Sequence, residues 1–217
     1  SQNQQKRLVQ DTAHELRTPL TSITANVEWL MRAPDLDAAT RSETLGGVRR
    51  ELGELNDLMA EIIELATESH EPPPLERTDL AIVVSGAVDQ FEQRTGRSVA
   101  LESAPSPVNG HYDSLARAVT NLLSNAHKYS PAVSPIAVQV KDGAVFVNDA
   151  GPGIPVEDRE RVFDRFYRRD TDRSKPGSGL GLSIVASVVE QHGGNTVVTD
   201  SPLGGAQVGF QLPVLPA

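Results

Sequence analysis

The chain has 217 residues, 38% of them hydrophobic and 23% charged, which is enough for two modest domains, each with its own core. It has no cysteine and a formal net charge of -9, which excludes disulfides and thiolate metal sites and argues against a nucleic-acid partner. No run of about 18 apolar residues occurs, so neither a membrane span nor a signal peptide is expected within it, and the lack of cysteine agrees with a reducing compartment.

Apolar residues recur at Val9, Ala13, Leu16, Leu20, Ile23, Val27 and Leu30 in steps of four and three, the seam of a helix packed against partner helices. The pattern predicts a helix to about Met31, with Pro34, Asp35 and Asp37 supplying a break and a cap. A second periodic run, Leu45, Val48, Leu52, Leu55, Met59, Ile62 and Ala66, closes an antiparallel hairpin with the first. Two helices bury too little alone, so the expected assembly is a homodimeric four-helix bundle. His14 falls just off the seam, on the solvent side, with Glu15 adjacent and Thr18 one turn later. An exposed histidine is ordinarily a surface polar residue, yet an imidazole beside a carboxylate is also a way to carry phosphate on histidine. Pro19, inside the same helix, removes a backbone hydrogen bond and marks a candidate hinge.

Ser69 to Arg77, with Pro72, Pro73 and Pro74 in succession, interrupts all periodicity and reads as a linker. The expected division is therefore residues 1–68, a linker at 69–77, and a second domain over 78–217. There, Ala81 to Gln93 reads as helix, Ser98 to Ser103 as extended and Tyr112 to Tyr129 as helix again. Ile136 to Val140 and Ala144 to Asn148 alternate across an Asp142-Gly143 turn, a hairpin signal. Gly181 to His192 reads as helix, and Thr196 to Asp200 with Gln207 to Leu212 as a last strand pair. The fold class is thus an all-α helical hairpin followed by an α/β sandwich, helices on one face of a mostly antiparallel sheet.

Four clusters in the second domain carry chemistry. Asn121 and Asn125 lie four residues apart on one helical face, followed by Lys128 and Tyr129; carboxamide oxygens are hard ligands suited to Mg²⁺, although paired surface asparagines are common. Asp149 ends a strand before Gly151 and Gly153; a carboxylate there is able to accept from a purine amino group while glycine admits close backbone approach, and an ordinary tight turn is the plain alternative. Val156 to Ser178 is polar and charged around Phe163, Phe166 and Tyr167, the pattern of a mobile lid whose Arg168, Arg169, Arg173 or Lys175 would meet polyphosphate or simply be solvated. Gly177, Gly179 and Gly181 open a helix, so amides and a positive helix end face an anion there; neither the P-loop nor the dinucleotide pattern is present.

HELRTPL, NLLSNAHKYS, NDAGPGIP, FDRFYRR and GSGLGLSIV, in that order, closely resemble the phosphoacceptor, asparagine, first glycine, phenylalanine and second glycine boxes of two-component sensor histidine kinases. The resemblance covers almost the whole chain and implies a dimerisation and histidine-phosphotransfer hairpin joined to a catalytic domain of the Bergerat ATP-binding fold. It implies that His14 is the phosphoacceptor, Glu15 its base, and Thr18 the residue that orients water to hydrolyse a regulator's aspartyl phosphate. It places Mg²⁺ on Asn125 with Asn121 beside it, ATP phosphate on Lys128, and adenine near Tyr129 with its amino group on Asp149. Gly151, Gly153, Gly177, Gly179 and Gly181 would shape the pocket and lid ends. Ala150 departs from the pattern, since many members carry Asn there. The implied partners are a second copy and a response regulator receiver domain, and the implied location is the cytoplasmic part of a protein reaching the membrane through segments outside these residues. Two alternatives are another Bergerat-fold ATPase or protein kinase, which has no need of HELRTP on a dimerising hairpin, and a catalytically silent dimeric scaffold, which leaves Asn121, Asn125 and Asp149 without a role. His70, His111, His127 and His192 lack a paired acid on an exposed bundle face and read as structural or incidental.

Overall fold

The computed structural model describes residues 2–33, 35–67, 74–169 and 179–216, with residues 2–15, 18, 50, 54, 56–58 and 60–67 described by their helical backbone alone. Backbone contacts divide the chain into two compact units, Ser1–Glu71 with Arg168–Leu180, and Pro72–Tyr167 with Gly181–Ala217. No helix among the described residues is long and apolar enough to cross a membrane.

In the first unit, helices α1 (Gln2–Arg32) and α2 (Ala38–Thr67) form a hairpin. Asp37 is the cap of α2: its Oδ1 accepts the Thr40 amide at 2.9 Å and its Oδ2 accepts the Thr40 hydroxyl at 2.6 Å. Those bonds, the hydroxyl's first, hold the Asp37 carboxyl below its ordinary pKa. The apolar seam divides into two stripes, each repeating every seven residues. Leu16, Ile23, Leu30 and Leu55 are half-buried and Val48 is buried within the hairpin. Leu20, Val27, Leu45, Leu52 and Met59 stay between 39% and 51% exposed, a contiguous pattern that a single hairpin leaves uncovered. Across the helices, the Ser22 hydroxyl donates to Glu51 Oε1 at 2.7 Å, a polar tie that fixes their register.

The second unit is a five-stranded sheet in the order β2-β4-β5-β7-β6, with strands β2 (Val99–Ser103), β4 (Ile136–Lys141), β5 (Ala144–Asn148), β6 (Asn195–Asp200) and β7 (Ala206–Gln211). β2 runs parallel to β4 and every other pairing is antiparallel. Alternation sets the faces: Ile136, Val138 and Val140 are buried while Gln139 and Lys141 are exposed. Helices α3 (Leu80–Thr95), α4 (Tyr112–Tyr129) and α5 (Gly181–Gln191) cover the apolar face, with Val84, Phe91, Leu115, Leu122, Ile184 and Val188 no more than 2% exposed. Burying each such side chain stabilises the unit by about 1.5–3 kcal/mol.

The tight β4–β5 turn follows from its sequence. Asp142 and Gly143 have φ of 49° and 80°, the paired positive values of a type I′ hairpin. A Cβ on Gly143 would also lie 2.3 Å from the Leu212 carbonyl oxygen, so no other residue fits there. A second, two-stranded sheet was not expected. β1 (Glu76–Asp79) pairs antiparallel with β3 (Pro107–Gly110), and β1 therefore begins inside the segment read as linker, of which residues 69–73 lie outside the described residues. Asp79 Oδ1 joins this sheet to α3, accepting from the Ala81 amide at 3.0 Å and the Ser106 amide at 2.9 Å.

His192 pins α5 to the start of α4. It is 5% exposed; its Nε2 accepts the His111 amide at 3.1 Å, and its Nδ1 lies 2.6 Å from the Val188 carbonyl oxygen. This requires the neutral ring with the proton on Nδ1, and burial, aided by His111, holds the His192 pKa below its ordinary value despite the Val188 bond. A depressed histidine pKa means that the unfolded chain binds the extra proton first, so the contribution is complete above about pH 6.5 and is lost as pH falls below it. Denaturant unfolding of the second unit should therefore lose stability as pH drops from about 7.5 to 5.5, and a His192→Gln variant should be weaker at the upper pH but flatter across that range. A variant with the parental pH slope would show that His192 does not contribute to it.

Candidate functional site

The phosphoacceptor candidates lie on α1. The helical backbone runs through His14, Glu15 and Thr18, and the i, i+1, i+4 spacing places His14 and Thr18 on one face; their side chains lie outside the described residues. Pro19 sits inside α1 without ending it. Because proline has no amide hydrogen, the Glu15 carbonyl loses its intrahelical partner. Just beyond, the hydroxyls of Thr21 and Thr24 donate to the Arg17 and Leu20 carbonyls at 2.8 and 2.7 Å, a back-bonding that loosens and bends helices. Three features that favour the expected hinge, Pro19, Thr21 and Thr24, thus fall within six residues of sequence, and α1 continues through them.

The nucleotide candidates lie around the end of α4, the end of β5 and the start of α5. Asn121 and Asn125 are half-buried on one face of α4. The Asn121 amide nitrogen donates to the Arg117 carbonyl at 3.2 Å, which turns its oxygen toward Gly181: a Cβ there would lie 3.1 Å from Asn121 Oδ1. Lys128 Nζ stands 4.9 Å from the Tyr129 ring centroid.

Asp149 is 3% exposed. Its Oδ1 accepts from the Gly151 amide at 2.7 Å and the Ala206 amide at 3.2 Å, the first bond closing an Asx turn. Among the described residues both hydrogen bonds to this carboxylate end on Oδ1, so Oδ2 is the atom left for a ligand's donor. The glycine turn is packed against its surroundings: a Cβ on Gly151 would lie 2.8 Å from the Tyr129 carbonyl oxygen and 2.9 Å from Asp149 Oδ1. Gly153 follows with φ of 72° and stands beside Gly205, whose carbonyl oxygen would be 3.6 Å from an added Cβ. Gly179 has φ of 77°, Gly181 opens α5, and Gly177 lies outside the described residues.

Gly205 belongs with this group and was not found in the sequence. A Cβ on it would lie 2.2 Å from Asp149 Oδ1 and 2.4 Å from the Gly151 amide, so the anchor of Asp149 requires glycine there. The signal was present in Gly204-Gly205, but after Pro202-Leu203 it reads as an ordinary turn.

The segment expected as a lid is more structured at its start than its composition indicates. Val156–Asp158 and Arg161–Phe163 are short 3₁₀ turns. The Arg159 Nε donates to the Ile154 carbonyl at 3.1 Å, and its guanidinium pairs with Asp200 at 2.5 Å. The Tyr167 hydroxyl donates to Asp158 at 2.6 Å, and Arg161 stacks over the Tyr167 ring at 4.6 Å. Phe166 takes φ of 60°, a strained backbone for an aromatic residue. Arg168 and Arg169 are half-buried; Arg173 and Lys175 lie outside the described residues. Of the remaining histidines, His127 meets the Phe91 ring edge-on at 5.7 Å, burial and the charges of Arg97 and Arg94 lower its pKa, and His70 lies outside the described residues. A cleft of about 380 Å³ lined by Ala87, Gln90, Phe91, Gln93, Arg94 and Thr120 contains none of the candidate residues.

Comparison with known proteins bears on both units. Residues 4–71 match the His Kinase A (phospho-acceptor) domain, and residues 110–216 match the histidine kinase-, DNA gyrase B-, and HSP90-like ATPase family. The chain is 38% identical over 226 residues to the signal transduction histidine-protein kinase/phosphatase MprB of Mycolicibacterium smegmatis, covering 99% of this chain and 46% of that protein. It thus spans about half the length of the curated relatives it matches. Among solved structures, a mycobacterial sensor histidine kinase MprB is 35% identical with a TM-score of 0.58, over 66% of this chain and 99% of that one. The Acinetobacter baumannii histidine kinase AdeS, 21% identical, shares the fold over 94% of this chain and 98% of its own, with a TM-score of 0.66. The chain therefore belongs to the sensor histidine kinases, a phosphoacceptor helical hairpin followed by an α/β domain of the Bergerat ATPase fold.

Proposed function

We propose that this chain is the catalytic core of a sensor histidine kinase that moves the γ-phosphate of ATP to His14 and then to an aspartate on a response regulator receiver domain. The carrying observation is Asp149, a buried carboxylate fixed through one oxygen beside a glycine turn, in a chain that also matches a phospho-acceptor domain. We set the functional domains at residues 1–68 for dimerisation and phosphotransfer, 69–77 for the linker and 78–217 for ATP binding. The homodimer is supported by the exposed stripe of Leu20, Val27, Leu45, Leu52 and Met59, which a second hairpin would cover. We place the chain in the cytoplasm, joined to a membrane through segments outside these residues.

In this reading Asp149 Oδ2 accepts from the adenine amino group, Tyr129 borders the ring, and Lys128 meets phosphate. Gly151, Gly153, Gly177, Gly179 and Gly181 let backbone approach the nucleotide, with the amides of the α5 start facing anionic oxygens. The half-buried carboxamides of Asn121 and Asn125 fit a hard cation completed by phosphate and water. Asn125, with Asn121 beside it, would hold Mg²⁺, which would supply neutralisation of charge on the phosphate oxygens.

One ring nitrogen of the neutral His14 imidazole carries the lone pair that this reading requires. That nitrogen attacks the γ-phosphorus in line while Glu15 takes the proton from the other; an N–P bond forms as the P–O bond to departing ADP breaks. The N–P bond breaks in turn as a carboxylate oxygen of the receiver domain forms its own bond to phosphorus. The MprB relative is named a kinase/phosphatase, and we assign the second activity to Thr18, which orients a water for hydrolysis of the regulator's aspartyl phosphate. The loosened helix around Pro19 supplies the bend that both reactions use.

Incubation with γ-labelled ATP should give acid-labile, base-stable label on His14 and none in His14→Gln, and Asn125→Ala should fall to background. Label on another residue would overturn the phosphoacceptor assignment, and undiminished labelling of Asn125→Ala would overturn the metal assignment. Thr18→Ala should keep autophosphorylation while its dephosphorylation of a phosphorylated receiver domain slows about 100-fold; an unchanged rate would remove Thr18 from the phosphatase step.

A further inference from the structure

Arg97 is a cation only 8% exposed, and among the described residues its hydrogen-bond partners are not carboxylates. The left-handed cap at Gly96, φ 68°, ends α3 and turns the Arg97 side chain to the far end of α4. There one terminal nitrogen is within reach of the Ser130 hydroxyl at 2.9 Å and the carbonyls of Pro131 and Ser134 at 2.9 and 2.7 Å. The other terminal nitrogen donates to the His127 carbonyl at 3.4 Å. A helix leaves its last four carbonyls without intrahelical partners, and a cation there satisfies them and opposes the helix dipole. Burying a charge without an opposite one costs several kcal/mol, more than capping a surface helix would justify. Burial lowers the Arg97 pKa, and the charge of Asp149, the candidate adenine reader, opposes that shift.

The contacts continue to that reader. Ser130, held by Arg97, follows Tyr129; the Tyr129 carbonyl bears on Gly151, where a Cβ would lie 2.8 Å away; and the Gly151 amide donates to Asp149 Oδ1 at 2.7 Å. We propose that Arg97 is a positioning residue for the nucleotide: by tying the last turn of α4 to the loop before β4, it fixes Tyr129 against Gly151 and so sets the orientation of Asp149 Oδ2. This rests on the reading of Asp149 given above, and it adds a residue outside every matched box. In this role Arg97 acts through the end of α4.

The test uses the whole 217-residue chain with Arg97→Met, Arg97→Lys and Asp149→Asn, reading KM for ATP and kcat in autophosphorylation and Kd for ADP by calorimetry. Arg97→Met should raise both KM and Kd by at least about tenfold with kcat at saturation within about twofold, the pattern of lost binding geometry rather than lost active protein. Arg97→Lys, which keeps the charge but not the fork, should fall between the parent and Arg97→Met. A parental Kd in Arg97→Met overturns the proposal, as does a fall in kcat alone that tracks the folded fraction. Should Arg97→Met not fold, a parental Kd in Arg97→Lys overturns it instead. Loss of ADP binding in Asp149→Asn beside parental binding in Arg97→Met removes only the Arg97 role. Undiminished binding in Asp149→Asn removes the adenine assignment, and the Arg97 proposal with it.

Discussion

A carboxylate that is 3% exposed is tolerated in a protein interior only if hydrogen bonds replace the water it has lost. For Asp149 the replacement is backbone: the amides of Gly151 and Ala206 converge on Oδ1, while its own amide and carbonyl bond to Ala206 and Gly205. Three separate pieces of chain, the end of β5, the glycine turn after it and the turn before β7, are thereby gathered on one side chain. The glycines there are consequences of this convergence, since Gly151 and Gly205 both stand where a Cβ would strike Asp149. What a nucleotide would meet is the single oxygen that this arrangement leaves over.

The hairpin solves a different problem with equally simple means. A seven-residue repeat supplies two apolar positions per interval, and here the hairpin covers only one of them. Leu16, Ile23, Leu30, Val48 and Leu55 serve the contact between α1 and α2, and Leu20, Val27, Leu45, Leu52 and Met59 remain outside it. An all-round apolar helix would not distinguish these two roles; the heptad does, because its two positions face directions separated by about half a turn or less.

Most of this was legible because it is local. The boundaries of α4 and β5 were read to the residue from helical periodicity and from alternation about Asp142-Gly143, features encoded by neighbours in sequence. The small sheet was not, since Glu76–Asp79 and Pro107–Gly110 are four-residue strands with no alternation. They exist through distant partners, such as the Thr78 hydroxyl on the Gly110 carbonyl at 2.8 Å. Asn121, Asn125 and Asp149 stood out by residue type, whereas Gly205 and Arg97 did not. A glycine pair after Pro202 looks like a turn and an arginine after Gly96 looks like a surface cation, and only the fold reveals what each lies against.

Helix α4 is secured at both extremities by residues remote from it in sequence, His192 at the His111 end and Arg97 at the Ser130 end. Neither belongs to a signature by which kinases of this type are recognised. A chain that kept every signature letter but exchanged these two would be scored as an intact enzyme by inspection of its boxes, while the scaffold that aims them had gone slack.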